Sequence, residues 1–349
     1  VSAIPYPLRR AYRVFRQDIL ALPSRSIVFF FSLGLLLLPL YSTDPYLLRI
    51  VIITCIFAIY AASWDLLAGF TGQINFGHAL FFGAGAYGSA LLNYHLHLTP
   101  WLTIPIGAVV AMAMGFLVGI PCLRLRGSYL SLATLAFPLI LTGILFAFPN
   151  FSGGELGVSG IRRLFVYPVH NYYAAVILML VLCFAMWKIG GSHTGLIFHS
   201  IREDEVAARA SGINTKRYKL MAFGLSAMFA GVAGAFFAHF IRIAGPSSLE
   251  VSLSFQAVIW GIFGGAATIY GPVVASFILY PLTEVVGTFP ALREYRLLIL
   301  AIVVLLVLLF MPQGITPWIR NKIEVVCQRC KNRNVRWRHE CRVCHADIA

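Results

Sequence analysis

Four cysteines toward the end of the 349-residue chain have the type and spacing for metal chemistry. Cys327 and Cys330 form one Cys-x-x-Cys pair, ten residues follow, and Cys341 and Cys344 form a second. Two such pairs offer four thiolates to a tetrahedral site, the donor set of structural zinc. Rubredoxin-like iron would take the same ligands, and the adjoining His339 and His345 are substitute donors. The stretch 316–349 is too short to bury a core, so a metal would supply its fold. Two disulfides are the alternative, disfavoured if this tail faces a reducing compartment. The remaining cysteines, Cys55, Cys122 and Cys183, lie in or beside apolar runs and read as packing residues.

Elsewhere the motifs of bond chemistry fail on context. Gly83-Ala84-Gly85-Ala86-Tyr87-Gly88 reproduces the G-x-G-x-x-G of dinucleotide sites, but inside an apolar run with no soluble strand before it, so it reads as helix packing. The sequence has no Gly-Lys dipeptide, hence no phosphate-cradling P-loop, and no His-Glu-x-x-His. Its 13 acidic residues are scattered, with one run at Glu203-Asp204-Glu205. An enzyme is not expected.

The elements that position these residues follow from composition. Hydrophobic residues make up 59% of the chain and charged ones 11%, against about 25% charged in soluble domains. Water is therefore not the solvent for most of it. A crossing helix needs about 20 apolar residues, and candidate runs begin near Ile27, Leu47, Phe76, Trp101, Tyr129, Tyr172, Leu220, Val251, Val273 and Leu297. The expected fold is an all-α polytopic membrane protein of about ten spans with a zinc-ribbon-like tail. Its divisions are a basic arm over 1–26, a membrane domain over 27–315 with a long loop at 190–220, and the tail over 316–349. The first apolar run lacks a small-residue cleavage site and is read as a retained span.

The charges orient this array. With ten spans, 21 of the 27 Lys and Arg fall on one face and six on the other: Arg49, Arg162, Arg163, Arg242, Arg293 and Arg296. Lys and Arg accumulate on cytoplasmic loops, so both termini and the 188–219 loop are expected in the cytoplasm. That also accounts for the net charge of +14 without nucleic acid as a partner. Small residues recur every fourth position at Ala111, Gly115 and Gly119, at Ala227, Gly231 and Ala235, and at Gly261 and Gly265, which suits close helix packing. Polar groups within spans usually face a cavity or a partner. Gly72, Gln73, Asn75 and His78 sit in a glycine-rich segment that invites a broken helix, and they either border a solute path or satisfy interhelical hydrogen bonds. Asp65 and Glu284 read as hydrogen-bonded structural groups, and His239 as interfacial.

The long loop reads HTGLIFHSIREDEVAARASGINTKRYKL from His193 to Leu220. Ala207, Ala208 and Ala210 favour a short helix that Gly212 is placed to end. Its three acids suit anionic lipid poorly, so docking into a partner's groove is the better use. Val206-Ala207-Ala208-x-x-x-Gly212, with Glu205 before it, resembles the coupling loop of ABC-importer permeases, specifically the branched-chain amino-acid subfamily. GFTGQINFGHALFFGAGAY (69–87), LRLRGSYLSLATLAF (123–137), FGLSAMFAGVAGAFFA (223–238), FGGAATIYGP (263–272) and FMPQGI (310–315) are similar to the same subfamily. Together they resemble the LivM type of permease over roughly residues 45 to 315. Gly153-Gly154-Glu155-Leu156-Gly157 departs from the family pattern by its acidic residue.

The resemblance implies a permease subunit in the bacterial or archaeal inner membrane. Its partners would be a sister permease, two cytoplasmic ATPases that alone bind ATP, a periplasmic solute-binding protein and a neutral amino-acid solute. Arg202, Glu205, Ala207, Ala208 and Gly212 would couple to the ATPases. A permease or passive channel for urea or short amides is the alternative. The four-cysteine tail is not explained by the resemblance.

Overall fold

A computed structural model describes residues 23–349 except 126, 331–332, 336–340, 342–343, 345–346 and 348–349. Most of the expected basic arm, His339 and His345 lie outside the described residues. The chain divides into two compact units, Asp44–Gly314 and the combination of Val1–Thr43 with Ile315–Ala349.

Ten helices lie over the ten apolar runs. They are α1 (Pro23–Tyr41), α2 (Pro45–Thr71), α3 (Ala79–Leu96), α4 (Pro100–Cys122), α5 (Ser128–Ala147), α6 (Pro168–Gly190), α9 (Thr215–Ile241), α10 (Val251–Gly264), α11 (Tyr270–Thr288) and α12 (Arg296–Phe310). Between α6 and α9 come α7 (His193–Glu203) and α8 (Glu205–Ala210), and α13 (Ile315–Ile323) follows α12. Among the described residues, seven stretches are long and apolar enough to cross a membrane: α2, α4, α5, α6, α9, α11 and Arg296–Ile323. The expectation of about ten crossings is thus carried in helices but not in lengths. Ser26–Tyr41 and α10 are shorter, and α3 carries Asn93 and His95, which dilute its apolar character.

Local signals explain the starts and stops. Proline opens α2, α4 and α6, where its missing N–H costs nothing. Asp44 caps α2 by accepting from Tyr46 N–H at 3.1 Å. Two 27-residue helices, α2 and α9, form the centre; each spans roughly 40 Å at 1.5 Å per residue. The small-residue stripes meet across α4 and α9: a Cβ on Gly115 would lie 2.6 Å from the Ala227 Cβ, and one on Gly231 2.3 Å from the Ala111 Cβ. Such contact gives the dispersion that holds helices in lipid, where no hydrophobic force pulls them together.

The periphery inverts the soluble pattern. Leu132, Leu139 and Ile140 on α5, Ile177, Val181 and Phe184 on α6, and Leu305 and Leu309 on α12 are exposed, and α12 buries no residue. Contiguous apolar surface of this extent is incompatible with water and suits hydrocarbon. A two-residue ladder, β1 (Val158–Ser159) with β2 (Ile243–Ala244), ties the α5–α6 connection to the end of α9. In the other unit, β3 (Glu324–Val326) and β4 (Arg333–Val335) form an antiparallel hairpin. Lys322 of α13 lies 4.8 Å over the Trp318 ring.

Candidate functional site

The acidic run organises the 193–220 segment. Asp204 leaves helical geometry, ends α7, and caps α8 by accepting from Val206 N–H at 2.8 Å and Ala207 N–H at 3.0 Å. The expected short helix is α8, and the Asp204 cap, by satisfying its first N–H groups, separates it from the preceding α7. At the far end Gly212 takes φ +83°. Its N–H bonds Arg209 C=O, and Ile213 N–H bonds Ala208 C=O, which is a Schellman closure. Ala208 packs with Ile197, Ile201 and Ile213. One face of α8 is thus tied down while Val206, 69% exposed, and Ala207 face outward.

Glu205 points inward from the same turn. Its carboxylate pairs with Lys219 Nζ at 2.6 Å and Arg209 Nη2 at 2.8 Å, and accepts from Thr215 Oγ1 at 3.4 Å. Partial burial raises its pKa, but the bond and charge of Lys219, then of Arg209, outweigh it and hold the carboxyl below the usual glutamate value. Glu205 thus braces α8 against the start of α9. Arg202 reaches the membrane domain: its guanidinium donates to Gly69 C=O, and its side chain packs against Gly72.

Gly72 ends α2 in the left-handed conformation (φ +70°), and the chain stays unwound until α3 begins at Ala79. Several of the freed backbone groups are taken up by neighbouring helices. Thr134 Oγ1 accepts from Phe76 N–H at 3.0 Å, Ser254 Oγ from Ala79 N–H at 2.8 Å, and Asn75 C=O from Trp64 Nε1 at 2.8 Å. Gly72 is exposed, Gln73 half-buried, and Asn75 and His78 buried. Asn75 Oδ1 accepts from Gly77 N–H at 2.8 Å. Ser63 donates its hydroxyl to Tyr60 C=O, so His78 Nε2, 2.9 Å from Ser63 Oγ, is the donor in that pair. Asn75 Nδ2 and His78 Nδ1 then have no hydrogen-bond partner among the described residues.

A second break, at 265–269, separates α10 from α11. One buried side chain holds it: Asp65 of α2 accepts from Ala267 N–H at 2.7 Å and from Thr268 and Ile269 N–H at 3.0 Å each. Ala267 and Ile269 have positive φ, +61° and +56°. A Cβ on Gly69 would overlap Asp65 and the Ala267 nitrogen. Asp65 is thus the hydrogen-bonded group the sequence suggests, but its partner, some 200 residues away, carries no local sequence signal. His239 is packed inside the protein at the end of α9. It is 1% exposed, donating from Nδ1 to Arg162 C=O at 2.8 Å while Nε2 lies 2.9 Å from both Ser89 and Thr103 hydroxyls. The loop that folds over this helix-end histidine, through Arg162, leaves no signal in the sequence around it.

In the other unit, the Sγ atoms of Cys327, Cys330, Cys341 and Cys344 lie within 4.8 Å of one another. Cys327 and Cys344 are 3.6 Å apart, Cys330 and Cys341 3.4 Å, near the roughly 3.8 Å edge of a tetrahedron with 2.3 Å metal–sulfur bonds. None is in a disulfide. Backbone N–H groups, first that of Cys330, hold the Cys327 thiol below its usual pKa, which favours the thiolate a metal needs. The cluster has the donor set and spacing to hold a metal ion.

Comparison with known proteins agrees with this architecture. The family described as "Branched-chain amino acid transport system / permease component" matches residues 46–308. The high-affinity branched-chain amino acid transport system permease protein LivM of Escherichia coli K12 is 29% identical over 302 residues, 78% of this chain and 70% of that protein. The probable branched-chain amino acid transport permease protein LivH of Methanocaldococcus jannaschii is 25% identical over 276 residues, 70% and 84% respectively. The ribose import permease protein RbsC of Escherichia coli is 24% identical over 223 residues, 59% and 70%. No solved structure gives a significant match.

Proposed function

Since the chain belongs to the family of branched-chain amino acid transport system permease components, we propose that it is one of two permease subunits of an ATP-driven importer in the cytoplasmic membrane. Its solute is a branched-chain or similar neutral amino acid, delivered by a binding protein outside, and two ATPases dock inside. No step of bond chemistry is asked of this subunit. Its task is to hold two arrangements whose balance the ATPases shift by binding them unequally.

The observation that carries the coupling role is the bond from Arg202 to Gly69 C=O beside Gly72. The outward face of α8, Val206 and Ala207, is the docking surface. Glu205 with Lys219, and Gly212 with the Schellman closure, keep it rigid. A displacement of α8 and α7 then reaches the end of α2 through Arg202. One turn back along α2, Asp65 carries the same displacement to the second break. Gly72, Gln73, Asn75 and His78 border the solute path. The buried donor on Asn75 and the buried acceptor on His78 support that reading, because unpartnered polar atoms inside a membrane are costly unless something fills them.

Zinc is the metal we assign to Cys327, Cys330, Cys341 and Cys344, since all-thiolate tetrahedral sites suit it. Bound there, it would tie the β3–β4 hairpin to the segment around Cys341.

The test is co-purification of the complex with its ATPases, comparing wild type with Glu205→Lys/Gly212→Pro. Wild type should hydrolyse ATP faster when solute-loaded binding protein is added, and the double variant should lose the ATPases. If no ATPase accompanies the wild type, the coupling reading fails and a passive channel takes its place.

A further inference from the structure

Opposite the 193–220 segment, where α2 and α6 begin and α9 ends, a cavity of about 270 Å³ is lined by Arg49, Arg163 and Arg242 together with Asn171, Leu48 and Phe240. None of its lining residues is acidic. The ion pairs found among the described residues both belong to Glu205. Tyr280 lies within electrostatic range of both Arg49 and Glu284, yet these two form no ion pair within 4 Å among the described residues. Three arginines line one concavity, and like charges gathered there repel each other unless an anion joins them.

The pocket is built rather than accidental. Arg163 rides on a loop fixed at successive residues. Ile161 C=O accepts from Arg242 Nε at 3.3 Å, Arg162 N–H donates to Asn93 Oδ1 at 2.9 Å, and Arg162 C=O accepts from the buried His239 at 2.8 Å. The β1–β2 ladder closes the same loop onto the end of α9. Arg242 itself holds φ +66° at the cap of α9, a left-handed conformation that is strained for a residue with a Cβ. Glycine would relieve that strain and could not place a guanidinium.

We propose that this cavity binds a phosphate-bearing anion, and specifically the headgroup of an anionic phospholipid. Arginine matches phosphate geometry with paired N–H donors. Asn171 adds polar capacity for headgroup hydroxyls, and Leu48, Val166 and Phe240 offer an apolar wall. Tyr46 and Tyr167, next in sequence to the lining residues Pro45 and Pro168, are exposed, as aromatic side chains are at headgroup depth. A zwitterionic amino acid fits poorly: its ammonium would face three guanidiniums and no carboxylate. The site is therefore separate from the solute path and independent of the transport assignment.

The experiment uses the full chain purified in neutral detergent and stripped of lipid. Short-chain phosphatidylglycerol, phosphatidylcholine, inorganic phosphate and poly-glutamate are titrated, with retained ligand read by native mass spectrometry. Wild type should bind phosphatidylglycerol at least about tenfold more tightly than phosphatidylcholine (roughly 1.4 kcal/mol per tenfold), and Arg49→Gln/Arg163→Gln/Arg242→Gln should abolish the preference. Arg293→Gln/Arg296→Gln, which removes two charges elsewhere, should leave it unchanged. Arg163→Gln alone, a position with no side-chain bond among the described residues, should weaken binding severalfold and serves if the triple variant does not fold. Phosphate binding as tightly as the lipid would support the anion site and make free phosphate its source. Equal binding of the two lipids without phosphate binding would overturn the proposal. So would binding of poly-glutamate alone, which would make the cavity a protein contact.

Discussion

The membrane domain contains two interrupted helices, and they are held in opposite ways. The break after α2 places glycine at its one positive φ within 72–78 and spreads its freed backbone groups over Thr134, Ser254 and Trp64. The break before α11 places Ala267 and Ile269 at positive φ and hangs three N–H groups on Asp65 alone. The first is relaxed and redundant. The second holds two residues with a Cβ at positive φ, which costs backbone strain, and a single carboxylate keeps them there. Both breaks bond to side chains of α2, the first to Trp64 and the second to Asp65.

The largest expected effect is from Asp65→Ala. It leaves two buried donors and one part-buried donor without an acceptor at about 1–3 kcal/mol each, so the purified chain should lose at least about 3 kcal/mol. Thermal unfolding in detergent reads this, and an unchanged midpoint would erase the contrast between the breaks. Asp65→Asn keeps one acceptor oxygen and should fall between.

Positive-φ substitutions should then have opposite signs at the two sites. Gly72→Ala adds a Cβ in left-handed geometry and 3.4 Å from Arg202, for a loss of about 1–2 kcal/mol. Ala267→Gly relieves a similar strain against a smaller cost in unfolded-chain entropy, so it should be neutral or stabilising by about 1 kcal/mol. Equal losses at both positions would mean that the second break holds no strain.

Thr134→Val and Ser254→Ala each remove one acceptor from the first break. About 1 kcal/mol apiece is expected, adding in the double variant because the two bond different N–H groups. The smallest effect is at Glu205, a carboxylate 28% exposed on the 193–220 segment. Its folded pKa is depressed, so its contribution is complete above the ordinary glutamate value near 4.3 and lost as pH falls through the lower folded value. Glu205→Gln should cost about 0.5 kcal/mol at neutral pH, and the gap to wild type should close under acid. A loss as large as that of Asp65→Ala would show that burial is not what separates the two carboxylates.

The sequence by itself determined the solvent and most of the elements. Long apolar runs with proline at their starts have one stable form in lipid, since every backbone group must bond within its own helix. For that reason all ten runs are helices, and Gly212 ends α8 as expected. The four cysteines were legible because metal ligation is a matter of residue type and short spacing. Tertiary structure decided the rest. Asp65 meets residues 267–269, Arg202 meets Gly69, and Arg49, Arg163 and Arg242 line one cavity, each across more than 50 residues of chain. Apolarity fixes that a helix forms and which environment takes it, but it does not say which helix it packs against. That choice rests on close fits between small residues and on single polar partners, and these exist only once the bundle has closed.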